Sequence, residues 1–333
     1  MHDRPAGNIP IGKGRGVNHS IESSQSEPLT PLPEAAIVKL AEQALQEDLD
    51  TAQLSPTADL TTAWTVGEQA VAEARIIARQ PGVLAGTAIA AAVFLRLDPE
   101  LRLRIIVDDG ASVQPQDVII RLNGKANAIL TGERVALNFM QRLSGTATLT
   151  RSFVNAVEGT GARITDTRKT TPGLRLLEKH AVVCGGGVNH RMGLFDAVLI
   201  KENHAAAAGG VGQAARQARM AAEQLGRGDV PIMVEADSLD DVRELLSLAR
   251  LERPDRILLD NMSPDLMRQA LHLIRAVDPP IRVEATGNID LSTVRGVADV
   301  GPDLISIGAL THSAPALDLS LLFDSSLGAT GVL

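Results

Sequence analysis

From Arg163 onward the sequence repeats one phrase: a short apolar run that ends in polar or charged residues, then an amphipathic helix. The runs lie at 163–166, 197–200, 231–234, 256–259, 281–284 and 304–307. Between them, Val211–Leu225, Leu239–Leu251, Pro264–Val277 and Leu291–Ala298 place apolar residues at helical spacing. Ser238, Ser263 and Asp290 stand where helix N-caps belong, and Ser238 with Asp241 makes a capping box. The last units recur at about 25 residues, a length that suits one strand-loop-helix turn. This predicts a parallel β/α array. Six clear strands fall short of eight, so an incomplete or irregular barrel and an open doubly wound sheet both fit.

The preceding residues follow another pattern. Residues 1–33 are rich in Pro, Gly, Ser and Asn without apolar periodicity, and read as a flexible leader. Its Gly7–Gly14 stretch is a near-miss to a phosphate loop, lacking the Ser/Thr and a preceding strand. Glu34–Leu49 has helical spacing, Asp59–Thr62 reads as a turn into strands, and Gly86–Leu97 as an Ala-rich buried helix. Segments 68–79, 101–107 and 118–122 read as strands. Together they predict an α+β domain of about 100 residues with a mostly antiparallel sheet. Gly132–Val157 is a long helical region that carries Arg134 near its start and Arg142 on a solvated face. A cation at a helix start opposes the helix dipole, so Arg134 calls for an anionic partner elsewhere. The expected domains are 34–145, with a possible return of 315–333, and a barrel over 146–325.

The chemistry concentrates between Thr165 and His204. This stretch holds Arg168, Lys169, Arg175, Lys179, His180, His190, Arg191, Lys201 and His204 in a protein whose formal net charge is -8. A local cationic cluster in an acidic chain suits a pocket for a small polyanion rather than a nucleic-acid surface. The absence of Tyr and the single Trp64 also argue against base-stacking platforms. Lys169, Lys201, Glu235, Asp260, Glu284 and Gly308 fall at or just beyond successive strand ends, which in a barrel converge on one mouth. Cations first and acids later suggest a bipartite site, with acids for hydroxyls or a divalent metal. The single Cys184 excludes an internal disulfide and fits a reducing, cytoplasmic setting. The apolar run Ala88–Leu95 is too short to span a membrane. His180 and His204 read as a helix-face and a loop histidine, without metal-ligand partners.

Ordered motifs then carry a resemblance. They are Gly132-Glu133-Arg134-Val135-Ala136-Leu137-Asn138, Gln141 to Thr148 (QRLSGTAT) and Asp166 to Gly173 (DTRKTTPG). Gly185 to Arg191 (GGGVNHR), Leu199 to His204 (LIKENH), Val234-Glu235, Leu258 to Asn261 and Ile307 to His312 follow. Over about residues 34–325 the chain resembles the quinolinate phosphoribosyltransferases, the carboxylating nicotinate-nucleotide pyrophosphorylases. The resemblance implies an N-terminal α/β sandwich and a C-terminal irregular α/β barrel of the type II phosphoribosyltransferase kind. It implies transfer from 5-phosphoribosyl 1-diphosphate to quinolinate with Mg²⁺, giving nicotinate mononucleotide, diphosphate and CO₂ on the de novo route to NAD.

By the same resemblance Arg168, His190, Arg191 and Lys201 hold the two carboxylates of quinolinate, joined by Arg134 from the neighbouring subunit of a homodimer. Lys169 meets the diphosphate, and Glu235 and Asp260 face the ribose hydroxyls and Mg²⁺. Thr286, Gly287, Asn288, Gly308 and His312 hold the 5-phosphate. Lys169, Lys201, Glu235 and Asp260 are the candidate catalytic set. The chemistry agrees: guanidinium forks bind carboxylates bidentately, and acids can stabilise oxocarbenium character at ribose C1. The extra leader, an Ala/Gly-rich loop expected at 205–212 and the Thr286-Gly287-Asn288 turn depart from the family pattern. Two rivals remain at this stage, a Schiff-base lyase using Lys201 and an oxyanion-binding barrel without catalysis.

Overall fold

The computed structural model describes residues 32–50 and 54–324, so nearly all of the leader read over 1–33 lies outside the described residues. The early strands are β1 (Val71–Ala78), β2 (Gly82–Val83), β3 (Arg102–Ile105), β4 (Ser112–Val113) and β5 (Val118–Lys125). The later ones are β6 (Arg163–Thr165), β7 (Val198–Ile200), β8 (Ile232–Ala236), β9 (Arg256–Asp260), β10 (Arg282–Thr286), β11 (Leu304–Ser306) and β12 (Leu319–Phe323).

The first sheet runs β12-β1-β5-β3, with every pairing antiparallel. Ala72, Ala74 and Ile76 of β1 alternate inward while Val71 and Glu73 face water. Helices Glu34–Leu49, Thr87–Leu97 and Ala126–Ala156 close over the inner face, where Leu45, Ile76, Phe94, Ile120, Ile129 and Leu137 are buried together. Almost no aromatic residue is available, so aliphatic side chains fill this core at about 1.5–3 kcal/mol each.

The second sheet is parallel, in the order β6-β11-β10-β9-β8-β7. The first strand lies beside the last, as closure of a barrel requires. A doubly wound sheet would instead reverse its order at a switch point. Among the described residues β6 and β7 form no ladder, so the barrel stays open along one seam. Val188 partly fills that seam: it bridges to Thr165 and donates its N–H to the Ile164 carbonyl at 2.8 Å.

The two cores share the 31-residue helix Ala126–Ala156. Ile129 to Ala147 pack into the first core, and Leu149 and Phe153 into the second. At Gly145 a Cβ would lie 2.0 Å from the Pro315 carbonyl oxygen, so only glycine lets the returning chain cross the helix on its way to β12.

Several local expectations change. Asp59 does not lead into a strand; it caps the helix Leu60–Thr65 by accepting the Thr62 N–H at 3.1 Å. The long helix starts at Ala126, so Arg134 sits about two turns in, beyond reach of the terminal dipole. Arg142 does not merely face solvent, since its Nη1 donates to the Ala314 carbonyl at 3.0 Å. Ser238 and Ser263 cap their helices, but Asp290 caps a preceding turn through the N–H groups of Ser292 and Thr293. The loop expected at 205–212 is mostly helix, Glu202–Ala208, ended by Gly209. The helix read at His180 runs over Arg175–Cys184, and its role in organising the site was not anticipated from the sequence.

Candidate active site

Side chains alternate across a strand, so every second residue of β8, β9 and β10 points into the barrel. Met233 and Leu258 pack there with Ala197 and Leu199, whereas Val234, Ile257 and Val283 pack outward against helices. The same alternation sends Arg256, Leu258 and Asp260 inward along β9, and Arg282, Glu284 and Thr286 along β10. Asp260 and Thr286 end their strands and Glu235 is the last residue but one of β8, so these three reach the C-terminal mouth. Glu284 does not. Placed at a strand end by the sequence pattern, it is the third residue of β10, fully buried, and accepts from Arg256 Nη1 at 2.8 Å.

The cationic side of the mouth hangs on the open seam. Arg168 and Arg191 enter from its two flanks, and each has a buried Nε with no hydrogen-bond partner. Burial lowers the pKa of Arg191, and the neighbouring Arg168 lowers it further, so the two guanidinium groups are close enough to repel. Two adjacent cations with unsatisfied donors form a site that lacks an anion. Lys169, in the segment after β6, meets the segment after β11, where its carbonyl accepts from Thr311 Oγ1 at 2.8 Å. A Cβ on Gly308 would be 3.1 Å from His312 Nε2 and 3.2 Å from Lys169 Cδ, so these three residues converge.

Not every cation of the stretch serves the mouth. Lys179 is fully buried and paired with Asp166, also fully buried. Lys179 Nζ donates to the His190 carbonyl at 2.9 Å, and Asp166 Oδ1 accepts the His190 N–H at 2.9 Å. With its amide oriented by its neighbours, Asn189 donates to Asp166 Oδ2 at 2.6 Å. Glu178 accepts the Thr171 N–H at 3.0 Å, and Arg175 Nη1 donates to the Met192 carbonyl at 3.2 Å. The helix Arg175–Cys184 therefore grips the arm that carries Arg168 and the arm that carries Arg191. Burial pushes Asp166 up to about 6 against the pull of Lys179, and pushes Lys179 down.

His190 lies below the cations. Its Nδ1 accepts the Arg191 N–H at 2.8 Å, which leaves the ring proton on Nε2, 3.6 Å from Glu284 Oε1. Burial, then Arg256, Lys179 and Arg191, hold its pKa down at about 4, so the ring is neutral.

The acidic side is partly closed on itself. Glu235 is nearly buried, and Oε1 accepts from Lys201 Nζ at 2.5 Å, while the Lys201 side chain stays 46% exposed. Burial raises the Glu235 pKa, opposed by Lys201 and reinforced by Asp260 and Glu202. Asp260 Oδ2 accepts from the Asn261 amide at 3.0 Å. After β10 the chain turns left-handed at Gly287 (φ 96) and Asn288 (φ 48), beside Asn261 (φ 53). A Cβ at Gly287 would lie 2.2 Å from Asn261 Oδ1, and Asn288 Nδ2 donates to that same oxygen at 3.0 Å. Successive left-handed residues turn backbone N–H groups toward one concavity, a form suited to phosphate.

Arg134 stands apart from this mouth. Its side chain is 64% exposed, and the nearest carboxylate among the described residues is Glu133 at 4.0 Å. The structural frame of Arg175, Glu178, Lys179 and Asp166 was missed in the sequence; an acid and a base that both fall on fully buried positions would have been the signal. His204 is a helix residue whose Nδ1 accepts the Lys201 N–H at 3.1 Å. His180 does have neighbours at ligand spacing: Asp109, His180 and Cys184 place one donor atom each within 4.8 Å of one another. Both Asp109 oxygens already accept backbone N–H groups, from Gly86 and Thr87, and burial pushes the Cys184 thiol up to about 12. That cluster ties the helix to the first domain.

Comparison with known proteins gives a consistent picture. A family model described as quinolinate phosphoribosyl transferase, C-terminal domain, matches residues 146–322, and the corresponding N-terminal domain model matches 59–144. The probable nicotinate-nucleotide pyrophosphorylase (carboxylating) of Synechocystis sp. is 39% identical over 295 residues, 88% of this chain and 95% of the relative. That of Bacillus subtilis is 42% identical over 265 residues, 80% and 88% of the two chains. The solved nicotinate-nucleotide pyrophosphorylase of Francisella tularensis superposes with a TM-score of 0.80 at 34% identity, covering 90% of this chain and all of that one.

Proposed function

The chain belongs to the quinolinate phosphoribosyl transferase family, and on that premise we propose how its own residues carry the reaction. It is a pentosyltransferase that transfers phosphoribosyl from 5-phosphoribosyl 1-diphosphate to quinolinate with loss of CO₂, giving nicotinate mononucleotide for NAD synthesis. The observation that carries the residue assignment is the pair of buried, unpartnered Nε atoms on Arg168 and Arg191. Adjacent carboxylates on one ring are a dianion, and two neighbouring guanidinium groups match it in charge and geometry. Lys201 completes the grip by exchanging Glu235 for substrate. His190 holds the Arg191 backbone from below.

Lys169 and His312 meet the phosphates, and the Thr286-Gly287-Asn288 turn with Gly308 takes the 5-phosphate. Glu235 and Asp260 face the ribose, where their negative charge stabilises oxocarbenium character as diphosphate leaves. The pyridine nitrogen attacks C1 and becomes cationic, so the ring can hold the electron pair left at C2 when CO₂ departs. Lys201 lies on this side and stabilises that charge until C2 takes a proton from solvent water, which completes nicotinate mononucleotide. Glu235 and Asp260 offer hard carboxylate oxygens, a donor type that suits Mg²⁺, and these two residues would hold it. Bound there, Mg²⁺ would neutralise diphosphate charge.

Among the described residues Arg134 makes no hydrogen bond or ion pair with its own mouth, and we assign it to the mouth of a second copy in a homodimer. Trp64, Leu194 and Phe195 are more than 70% exposed, an unusual position for bulky apolar groups and consistent with a covered surface. Among the described residues no helix is long and apolar enough to cross a membrane, and we place the enzyme in the cytoplasm.

The direct test is formation of nicotinate mononucleotide from quinolinate and the phosphoribosyl donor, with nicotinate as the control substrate. Turnover with nicotinate alone would remove the dicarboxylate assignment. Mixing Arg134→Ala and Lys201→Ala chains should restore activity in heterodimers; no recovery after proven subunit exchange would remove the shared site.

A further inference from the structure

The barrel has a second, lower mouth, at the N-terminal ends of β8, β9 and β10. A cavity of about 590 Å³ opens there, lined by five arginines: Arg219, Arg250, Arg253, Arg256 and Arg282. Small-molecule sites have volumes of this order. Only Asp229 and Asp255 bring negative charge to its lining. Asp255 is occupied, accepting the Ile232 N–H at 2.7 Å and lying 3.1 Å from Arg219 Nη2. Asp229 pairs with Arg227 at 3.5 Å. In a chain with a net charge of -8 this is a concentrated positive field.

Two details show that the field is only partly answered by counter-charge. Arg256 and Arg282 are direct register partners on adjacent strands, and like charges placed opposite each other repel. Glu284 answers Arg256 alone, and Arg282 has no ion pair among the described residues. Arg219, whose side chain is only 17% exposed, has a buried Nε without a partner. That is the signature found on Arg168 and Arg191 at the upper mouth. The remaining wall is apolar, formed by Met233, Ile281, Pro280 and the exposed Leu251. A bare inorganic ion would leave this wall uncovered.

We propose that the lower mouth is a second binding site, which takes a small phosphorylated organic molecule with its phosphate on Arg219 and Arg282. It is separate from the catalytic mouth, because Arg256 and Asp260 stand at opposite ends of β9, about 13 Å apart at strand rise. The two mouths are also connected. Arg256 lines the lower cavity and holds Glu284, and Glu284 faces His190, whose ring holds the Arg191 backbone.

Titration calorimetry with inorganic phosphate on the intact protein tests this. Wild type should bind phosphate at both mouths. The Arg219→Ala/Arg282→Ala protein should lose one equivalent, with affinity there weakened at least tenfold, while kcat and the KM for the phosphoribosyl donor stay within twofold. A Lys169→Ala protein should weaken phosphate binding at the catalytic mouth and keep this equivalent. Unchanged stoichiometry and affinity in the Arg219→Ala/Arg282→Ala protein would overturn the proposal. Should that protein fail to fold, Arg282→Glu alone, at an exposed position, must abolish the same equivalent, and retention would overturn it equally. Turnover assays on the same preparations read the upper mouth independently.

Discussion

The two sides of the catalytic mouth are built on opposite principles. On the seam side, Arg168 and Arg191 wait with unsatisfied donors, and the segments that carry them are fixed by a buried frame. On the rim side, Lys201 and Glu235 satisfy each other, and the turn at Gly287-Asn288 is held by Asn261. The seam is preorganised for charge it does not have; on the proposed reading the rim exchanges an internal pair for substrate. The strand order leaves β6 and β7 at the two ends of the sheet, unpaired with each other among the described residues. This chain uses that gap to lodge the segment whose geometry must be most rigid. The difference predicts that damage to the seam frame costs stability and quinolinate binding together, while damage to the rim separates the two substrates.

The largest effect should come from Lys179→Met. It leaves Asp166 buried without its counter-ion, a loss of about 3–5 kcal/mol. Asp166→Asn/Lys179→Met should recover part of that stability, because neither charge is then buried alone. Urea unfolding of the three proteins decides it. If Lys179→Met unfolds at the wild-type midpoint, the frame is dispensable and the contrast between seam and rim fails.

Next comes pH, which isolates His190 on the seam side. Unfolded, the ring takes up a proton near pH 6.5; folded, only near 4. Between those values the unfolded chain binds more protons, so His190 contributes stability that is lost as pH falls from about 6.5 to about 4, on the order of 3 kcal/mol at most. Asp166 acts in the other direction. Its folded value of about 6 exceeds the usual 3.8, so the folded chain gains protons first and is favoured as pH falls through 6. The two largely offset each other in wild type. His190→Gln removes one of them, so its unfolding midpoint relative to wild type should rise on acidification from pH 6.5 to 4.5. Parallel profiles would show that the ring titrates normally.

The parts of this arrangement were unequally legible in the sequence. Short apolar runs, amphipathic helices and helix caps gave away the parallel array, because backbone pairing and capping are local. Cyclic strand order was not legible, since nothing within a strand states its neighbour, and the choice between barrel and open sheet was settled by β6 lying beside β11. The strand-end pattern brought Lys169, Lys201, Glu235, Asp260 and Gly308 to one mouth but misplaced Glu284, whose strand runs two residues further to Thr286. Lys179 read as one more member of the cationic cluster. Its burial depends on Asp166, 13 residues away, and on a helix whose polar residues, Arg175, Glu178 and Lys179, obscured its apolar face.

On the rim, Glu235→Gln should separate the substrates. The charged acceptor for Lys201 is lost, and with it the negative charge facing the ribose. A hydrogen bond to a charged group is worth about 1.5–3 kcal/mol, so kcat/KM for the phosphoribosyl donor should fall at least about tenfold. Quinolinate affinity, measured without donor, should hold or tighten, because Lys201 is released toward the carboxylates. Equal losses for both substrates would mean that the mouth is not divided as described.

The smallest effect should be Asn288→Gly. Asn288 occupies φ 48, a region that costs a side-chain-bearing residue on the order of 1 kcal/mol, less for Asn because it bonds locally. It gains one bond in return, from Nδ2 to Asn261 Oδ1, worth about 1 kcal/mol net. Glycine relieves the strain and loses the bond, so stability should change by less than about 0.5 kcal/mol, and the KM for the donor by less than about threefold. Gly287→Ala in the same turn has no such compensation, since its Cβ would lie 2.2 Å from Asn261 Oδ1 at φ 96. Measured side by side, the pair tests whether the turn binds phosphate through backbone shape or through the Asn288 side chain. A large loss in Asn288→Gly would assign the contact to the amide and make the rim depend on a side chain after all.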